Sequence, residues 1–325
     1  MKALFLGNVA ADTHEGIKAE LPAGLDSVVI ADPPDLMRSP EAAAQADILV
    51  SNHWRADYPP LPRARLVQSV ATGVELFDLN ALPAGAAICN SFGHETAIAE
   101  YVVMAMLALH HRFFEIAGEF RAQGSWRSSW VQSGPPHGEV RGSTLGIVGY
   151  GRVGREVARR AAPFGVRILA ANRSRRERDP EVERVYPLSE LDAMLPQCDT
   201  IALCTALGPE TTGLLDARRL GLMKSGAFLI NIARGQVIDE DAIYAALRAG
   251  TIGGAALDVW WQYPTAKEPN RRGSRHLFHE LPNVIVTPHN SGWTQGMVRR
   301  RWDEVAENLR RFAAGESLIN LVTTT

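Results

Sequence analysis

The chain of 325 residues has few cysteines, almost no net charge and no long apolar run. Its three cysteines, Cys89, Cys198 and Cys204, show no metal-ligand spacing, and an odd number fits no disulfide framework. A formal net charge of -2 gives no electrostatic case for binding nucleic acid or an anionic membrane. The nearest approach to a membrane-spanning stretch, residues 101–109, runs directly into two histidines and an arginine. These absences predict a cytoplasmic protein without a metal site, a nucleic-acid partner or a membrane partner.

Short apolar runs alternate instead with helical patterns along the chain. A hydrophobic content of 46% allows a sizeable core, and the length favours two domains. Residues 1–7 carry one lysine and a short apolar run, which predicts a first strand and not a secretion signal. Runs bounded by Gly, Pro and Asp are typical of parallel strands buried on both faces, so the predicted fold class is α/β. The predicted strands are residues 3–6, 48–51, 65–69, 144–148, 167–170, 200–203, 227–230, 254–257 and 284–286.

A glycine motif follows the strand at 144–148 and precedes a helical pattern at 155–162. Its glycines suit a tight turn, close approach of the backbone to a pyrophosphate, and packing of a helix on a strand. An ordinary glycine turn is the alternative, but the flanking strand and helix favour a dinucleotide site. The candidate cofactor-binding residues here are Gly149, Tyr150, Gly151, Arg152, Val153 and Gly154.

The end of the next strand predicts which dinucleotide binds. An NAD enzyme usually has an acid there for the ribose hydroxyls. This chain has Asn172, Arg173 and Ser174, followed by Arg175 and Arg176. Guanidinium groups can grip a 2′-phosphate, so NADP is the predicted cofactor, with NAD as the alternative if the segment is only a solvated basic loop.

Two further strand ends carry side chains suited to catalysis. Arg234 follows the strand at 227–230, and His289 follows the strand at 284–286. Ligands in open α/β sheets bind at the carboxyl ends of strands, so both residues are expected in the same crevice as the cofactor. An arginine can hold a carboxylate and polarise a carbonyl, while a histidine can exchange the proton that accompanies hydride transfer.

The order of the motifs resembles the D-isomer-specific 2-hydroxyacid dehydrogenase family, which includes glyoxylate/hydroxypyruvate reductases and phosphoglycerate dehydrogenases. The resemblance covers nearly the whole chain. It implies a Rossmann-type doubly wound parallel sheet plus a second, flavodoxin-like α/β substrate domain, with NAD(P)-dependent hydride transfer to or from a small 2-oxo or 2-hydroxy acid. The segments that carry it are 67–75, 90–93, 99–100, 149–154, 203–212, 231–235, 256–259 and 287–292.

Site residues follow from this resemblance, position by position. It makes Arg234 the residue that binds and polarises the substrate, and His289 the general acid/base beside the cofactor. It assigns Asp258 and the backbone of Ile232 and Ala233 to the nicotinamide carboxamide. Further cofactor-binding candidates are Cys204, Thr205 and Thr211, and the substrate-binding candidates of the first domain are Asn52, Thr72, Gly73 and Val74.

One position departs from the family pattern. The family has an acid just before a proline, hydrogen-bonded to the catalytic histidine, whereas this chain has Tyr263 before Pro264. We take Tyr263 as the aligned residue and Gln262 as its competitor. A missing acid also leaves open a non-catalytic nucleotide-sensing protein on the same fold, although the intact Arg234 and His289 favour an enzyme.

The domain boundaries follow from where the glycine motif lies. A helix-like stretch at about 96–121 and a Gly- and Pro-rich loop at 124–142 precede that motif. We predict a substrate domain of residues 1–95 and 294–325, and a dinucleotide-binding domain of residues 96–293. The stretch at 96–121 is apolar on nearly all sides, which favours packing between domains or between subunits, and we predict a homodimer built on it. Trp54, Trp126, Trp130 and Trp293 are expected either to line an apolar pocket or to pack between domains.

Overall fold

The computed structural model describes residues 1–174, 177, 179–265 and 267–322. The chain divides into two compact units. Unit 1 is Met1–His94 with the chain from Gln295 onward, and unit 2 is Glu95–Thr294. In the part of the chain that is described, no helix is long and apolar enough to cross a membrane.

Strands and helices alternate through most of the chain. The strands are β1 (Lys2–Leu6), β2 (Asp26–Ile30), β3 (Ile48–Ser51), β4 (Leu66–Ser69), β5 (Ala87–Cys89), β6 (Thr144–Val148), β7 (Arg167–Asn172), β8 (Arg184–Pro187), β9 (Thr200–Leu203), β10 (Phe228–Asn231), β11 (Gly254–Leu257) and β12 (Val284–Val286). The α-helices are α1 (Asn8–Ile17), α2 (Pro33–Leu36), α3 (Pro40–Ala44), α4 (Glu95–His110), α5 (Phe113–Gln123), α6 (Arg152–Ala161), α7 (Leu191–Met194), α8 (Ala217–Leu220), α9 (Glu240–Ala249) and α10 (Gln295–Ala314).

Unit 1 is a parallel sheet of five strands in the order β2-β1-β3-β4-β5. This is the flavodoxin-like order, in which the chain reverses its direction of winding beside the first strand. The carboxyl-terminal helix α10 belongs to this unit, and its Val305 and Leu309 lie in the core beside Phe5. Trp54 is 1% exposed and packs in the core of unit 1 on the other face of the sheet.

Unit 2 is a parallel sheet of seven strands in the order β12-β11-β10-β9-β6-β7-β8. Six of these strands reproduce the doubly wound order of dinucleotide-binding folds, with one strand added at the edge. The predicted α/β class, with a Rossmann-type sheet and a flavodoxin-like second sheet, is confirmed. Strands β6, β9 and β11 are buried along their whole length, as their apolar runs predict.

The register of this sheet aligns the loops that carry the candidate site. Val148 at the end of β6 lies beside Ala171 of β7 and Leu203 of β9. Farther along the same edge, Asn231 of β10 pairs with Leu257 of β11, and Leu257 pairs with Val286 of β12. All six of the loops that follow these strands therefore start at the carboxyl ends of the sheet's strands.

Three strands, and the division of one helical stretch into two helices, were not predicted from the sequence. The missed strands β2, β5 and β8 are sheet edges, where one side lacks a neighbouring strand and an apolar run is not required. The predicted continuous helix at 96–121 is wrong, because the structure has two helices, α4 and α5. Arg112 lies between them in the left-handed region with φ 50°, which ends the first helix.

Candidate active site

A cavity of about 480 Å³ lies at the carboxyl ends of β6, β7 and β9 in unit 2. Eight of the residues predicted to bind cofactor line it: Gly149, Gly151, Asn172, Arg173, Ser174, Cys204, Thr205 and Thr211. The segment from Ala206 to Glu210 also lines the cavity; it lies within residues 203–212, which carry the family resemblance, but its residues were not among the predicted cofactor-binding candidates. Residues of the predicted glycine motif and the predicted cofactor-binding residues after β7 and β9 are therefore brought to one cavity.

The three motif glycines differ in what a side chain would meet. Gly149 has φ 97°, and a Cβ on it would lie 2.6 Å from the backbone of Thr205. A Cβ on Gly154 would lie 2.3 Å from the carbonyl oxygen of Gly149, so this position allows α6 to approach the strand. Among the described residues nothing lies within 4 Å of a Cβ built on Gly151. Open space at Gly151, directly before the amino terminus of α6, fits a bound pyrophosphate.

Asn172 at the end of β7 links the glycine motif to the residues that follow this strand. Its Oδ1 accepts the backbone N–H of Tyr150 at 3.2 Å, and its Nδ2 donates to the carbonyl oxygen of Ser174 at 3.0 Å. The Arg173 side chain is 82% exposed, and its Nε lies 4.0 Å from Glu210 Oε2. Such a weak exposed pair leaves the guanidinium available for a ligand. Arg175 and Arg176, which the sequence prediction also included, lie outside the described residues.

The loop after β12 carries His289 and is held by Asp258. Asp258 is fully buried, and its Oδ1 accepts the hydroxyl of Thr287 at 2.6 Å and the backbone N–H of Asn290 at 2.9 Å. Its Oδ2 accepts the backbone N–H of Ser291 at 3.0 Å. His289 has φ 58°, a left-handed conformation that costs about 1–3 kcal/mol in a residue other than glycine and persists only where its surroundings impose it. The carboxylate thus fixes a strained turn that presents the imidazole.

His289 has a tyrosine as its hydrogen-bond partner. The Tyr263 hydroxyl lies 2.8 Å from Nδ1 of His289 and accepts the backbone N–H of Trp260 at 3.2 Å. Gln262 instead accepts from Nε of Arg271 at 2.9 Å. The residue aligned with the family acid is therefore the one in contact with the histidine, and its competitor points to another partner.

Burial of His289 favours the neutral imidazole. Desolvation lowers the pKa of His289, the negative charge of Asp258 opposes that change, and the positive charge of Arg234 adds to it. Desolvation raises the pKa of Tyr263, so the phenol keeps its proton at neutral pH. A protonated phenol can donate to neutral Nδ1, which places the histidine's own proton on Nε2.

Arg234 follows β10 on a turn shaped by Asn231. The Asn231 side chain accepts the backbone N–H of Ala233 at 3.0 Å and donates to the carbonyl oxygen of Arg234 at 3.1 Å. A Cβ on Gly235 would lie 2.3 Å from the carbonyl carbon of Trp260, so only glycine fits where these loops meet. The Arg234 side chain is exposed, and Nη1 donates to the carbonyl oxygen of Ala233 at 2.7 Å. Its charge acts on both His289 and Tyr263, so the three side chains share one electrostatic environment.

A family model described as the NAD-binding domain of D-isomer specific 2-hydroxyacid dehydrogenases matches residues 103–291, more than half of the chain. The chain belongs to the D-isomer specific 2-hydroxyacid dehydrogenase family. The resemblance inferred from the motifs is confirmed, and the dehydrogenase is an NAD(P)-dependent oxidoreductase of hydroxy acids.

Several known proteins are similar to this dehydrogenase over most of its length. Glycerate dehydrogenase of Methylorubrum extorquens is 35% identical over 263 residues, covering 79% of this chain and 78% of the relative. Glyoxylate reductase of Thermococcus onnurineus is 38% identical over 262 residues, covering 78% and 75%. A solved structure of a D-isomer specific 2-hydroxyacid dehydrogenase family protein from Aeromonas salmonicida has a TM-score of 0.82 at 28% identity and covers 99% of this chain and 98% of that one. Because the named relatives are enzymes, a non-catalytic nucleotide sensor is not favoured.

Other predicted cofactor residues lie outside the cavity lining. Ile232 and Ala233, which precede Arg234, are both buried. Arg152 is exposed at the start of α6, with Nη1 3.5 Å from Glu95 Oε1, and Val153 is half-buried beside it. The Tyr150 side chain is fully buried, and its hydroxyl donates to Asp179.

The predicted substrate residues of unit 1 lie on loops after β3 and β4. Thr72 donates its hydroxyl to the carbonyl oxygen of Ser91 at 2.9 Å, and its own carbonyl accepts from Asn90 Nδ2 at 2.8 Å. Asn52 Oδ1 lies 2.8 Å from Nδ1 of His53. Gly73 and Val74 are half-buried in the same loop as Thr72. These bonds shape two loops at the carboxyl edge of the unit 1 sheet.

Proposed function

We propose that this dehydrogenase catalyses the reversible reduction of a small 2-oxo acid by NADPH, with Arg234 and His289 at the reaction centre. The observation that carries the proposal is the His289 imidazole, hydrogen-bonded to Tyr263 at 2.8 Å and under the electrostatic influence of Arg234. These side chains follow three neighbouring parallel strands, at the edge of the sheet where the cofactor cavity also lies. Ligands of such folds bind at that edge.

The chemistry divides between the two side chains. A bound reduced nicotinamide supplies a hydride, which adds two electrons to C2 of the oxo acid. Arg234 binds the substrate carboxylate and polarises the adjacent carbonyl, where negative charge develops on oxygen. His289, protonated as the imidazolium, delivers the proton from Nε2 to that oxygen, which completes the 2-hydroxy acid and leaves the neutral imidazole. Tyr263 holds the imidazole by Nδ1 and keeps Nε2 directed at the reacting oxygen.

The proposal also covers the identity of the oxo acid, the substrate-binding residues, the roles of the two units and the cellular compartment. The names of the relatives suggest glyoxylate or hydroxypyruvate as the oxo acid. The family pattern adds Asn52, Thr72, Gly73 and Val74 as substrate-binding residues, unit 1 as the substrate domain and unit 2 as the dinucleotide-binding domain. Three free cysteines fit a reducing cytoplasm.

A homodimer built on the helices that follow Glu95 is also proposed. Large apolar side chains are exposed on this part of unit 2: Met104 on α4, Phe113 and Phe120 on α5, and Trp126 and Trp130 beyond it. Trp130 is 88% exposed. Exposed large apolar side chains on one segment favour an interaction site there, and light scattering of the purified protein tests whether two copies associate.

A panel of 2-oxo acids tests the proposed reaction. The purified protein is mixed with NADPH or NADH and with glyoxylate, hydroxypyruvate, pyruvate or a larger 2-oxo acid, and the loss of reduced-nicotinamide absorbance is followed. We expect steady turnover of a small 2-oxo acid, faster with NADPH at low cofactor concentration. Cofactor binding without turnover of any oxo acid would refute the proposal. Formate and phosphite with the oxidised cofactor serve as control donors and should give no reaction.

A further inference from the structure

Tyr150 occupies an unusual position in the glycine motif. Its backbone belongs to the loop that faces the cofactor cavity, yet its side chain is 0% exposed. The motif requires only backbone at this position, because the pyrophosphate contacts main-chain N–H groups. A buried phenol normally needs a hydrogen-bond partner for its hydroxyl, and here that partner lies beyond the basic segment that follows β7.

Two bonds tie Tyr150 to both ends of that segment. Its backbone N–H donates to Asn172 Oδ1 at 3.2 Å, and its hydroxyl donates to Asp179 Oδ2 at 2.6 Å. Asn172 in turn donates to the carbonyl oxygen and the hydroxyl of Ser174 at 3.0 and 3.2 Å. Arg173 thus stands between two residues that are both fixed to Tyr150.

Arg155 of α6 also binds Asp179, the residue that accepts the Tyr150 hydroxyl. Its Nη1 donates to Asp179 Oδ1 at 2.8 Å, and its guanidinium carbon lies 5.3 Å from the centre of the Tyr150 ring. Each oxygen of Asp179 therefore has a donor from the glycine-motif side. Desolvation, followed by the hydrogen bond to Asp179, raises the pKa of Tyr150, so the hydroxyl remains a donor across the physiological range.

We propose that Tyr150 is a positioning residue for cofactor selectivity, which holds Arg173 in register with the pyrophosphate-binding turn so that the guanidinium meets a 2′-phosphate. The proposal rests on the proposed preference for NADPH. An exposed arginine on an untethered loop would lose more conformational entropy on binding than one whose backbone is already fixed. The contribution of Tyr150 should therefore be seen with phosphorylated ligands and not with NADH.

Binding of matched ligands to Tyr150→Phe tests this role. The variant keeps the ring and removes the bond to the Asp179 carboxylate. We expect NADPH and adenosine 2′,5′-bisphosphate to bind about tenfold more weakly, because hydrogen bonds to charged groups are worth at least that much, and NADH to bind within about twofold of wild type. Tyr186→Phe is the control, since Tyr186 is also buried in unit 2 and its hydroxyl accepts from Gln197 Nε2 at 2.9 Å, away from the motif. Equal weakening of all three ligands, or of none, would overturn the proposal.

Asp179→Ala removes the carboxylate that accepts the Tyr150 hydroxyl. Because Asp179 is partly exposed, this variant tests the proposal even if Tyr150→Phe does not fold. The same selective loss is expected of it.

Limited proteolysis without cofactor tests the role of Tyr150 independently of the proposed preference for NADPH. Trypsin cleaves after arginine, and the rate of cleavage after Arg173 reports how firmly the loop is held before any ligand binds. Tyr150→Phe and Asp179→Ala should both be cut faster there than wild type or Tyr186→Phe. Unchanged cleavage would refute the tether. If wild type binds NADH as tightly as NADPH while the two variants are still cut faster, the cofactor assignment fails and the tether stands.

Discussion

The pH dependence of reduction provides a direct test of the histidine and tyrosine pair. Reduction consumes a proton from His289, so its kcat/KM should be constant at low pH and fall as the pH rises through the pKa of His289. Because desolvation lowers that pKa, the wild-type midpoint should lie below about 6.5. Tyr263→Glu places a carboxylate beside the imidazole and stabilises its charged form, which moves the midpoint upward.

The size of the expected shift in the midpoint depends on the distance between the introduced carboxylate and the imidazole and on the exposure of position 263. The Glu side chain is shorter than Tyr, so about 4 Å is a reasonable separation of charges, against 2.8 Å between the present hydroxyl and Nδ1. Two charges at about 4 Å interact by about 4 kcal/mol at an effective dielectric of about 20, and about 1 kcal/mol in water. Tyr263 is 39% exposed, which favours the lower figure. One pH unit corresponds to about 1.4 kcal/mol, so we expect a rise of about one unit.

The assay is a profile of kcat/KM for one oxo acid with saturating reduced cofactor, measured on three proteins. Tyr263→Gln is the neutral control matched to Glu in size, and it should leave the midpoint unchanged while lowering turnover through loss of orientation. A wild-type midpoint well above about 7, with no shift in Tyr263→Glu, would show that another group supplies the charge and would refute the reasoning.

The remaining predictions concern the reaction centre, the cofactor and stability. His289→Ala should lower turnover by about 10²–10⁴-fold and leave the NADPH dissociation constant nearly unchanged, and near-normal activity would exclude His289 as the acid. Arg173→Asp should weaken NADPH by roughly ten- to a hundredfold and shift preference toward NADH, as read by fluorescence titration; an unchanged ratio of the two constants would contradict it. Asp258→Asn replaces an acceptor by a donor facing loop N–H groups, so urea denaturation should show a loss of about 1.5–3 kcal/mol in unfolding free energy. Gly154→Ala should abolish cofactor binding, since its Cβ would lie 2.3 Å from a carbonyl oxygen, whereas Gly118→Ala on α5 meets nothing described within 4 Å and should leave binding unchanged.

The sequence by itself determined where the chemistry lies along the chain. Buried parallel strands require apolar runs, and the loops after them carry the ligand groups, so Gly149, Arg234 and His289 could be located at strand ends from local pattern alone. The same reasoning explains the three missed strands. Each is at a sheet edge; β2 and β8 are partly exposed there, which weakens their apolar signal, and β5 is only three residues long.

Only the tertiary structure decided which side chains meet. Gln262 and Tyr263 are neighbours in sequence, and the direction of the loop alone directs the phenol to His289 and the amide to Arg271. Asp258 reaches the backbone of a loop about thirty residues away because β11 and β12 are adjacent strands. Such contacts depend on the register of the strands and on the path of the loops. Long-range packing determines both, so local sequence patterns cannot predict these contacts.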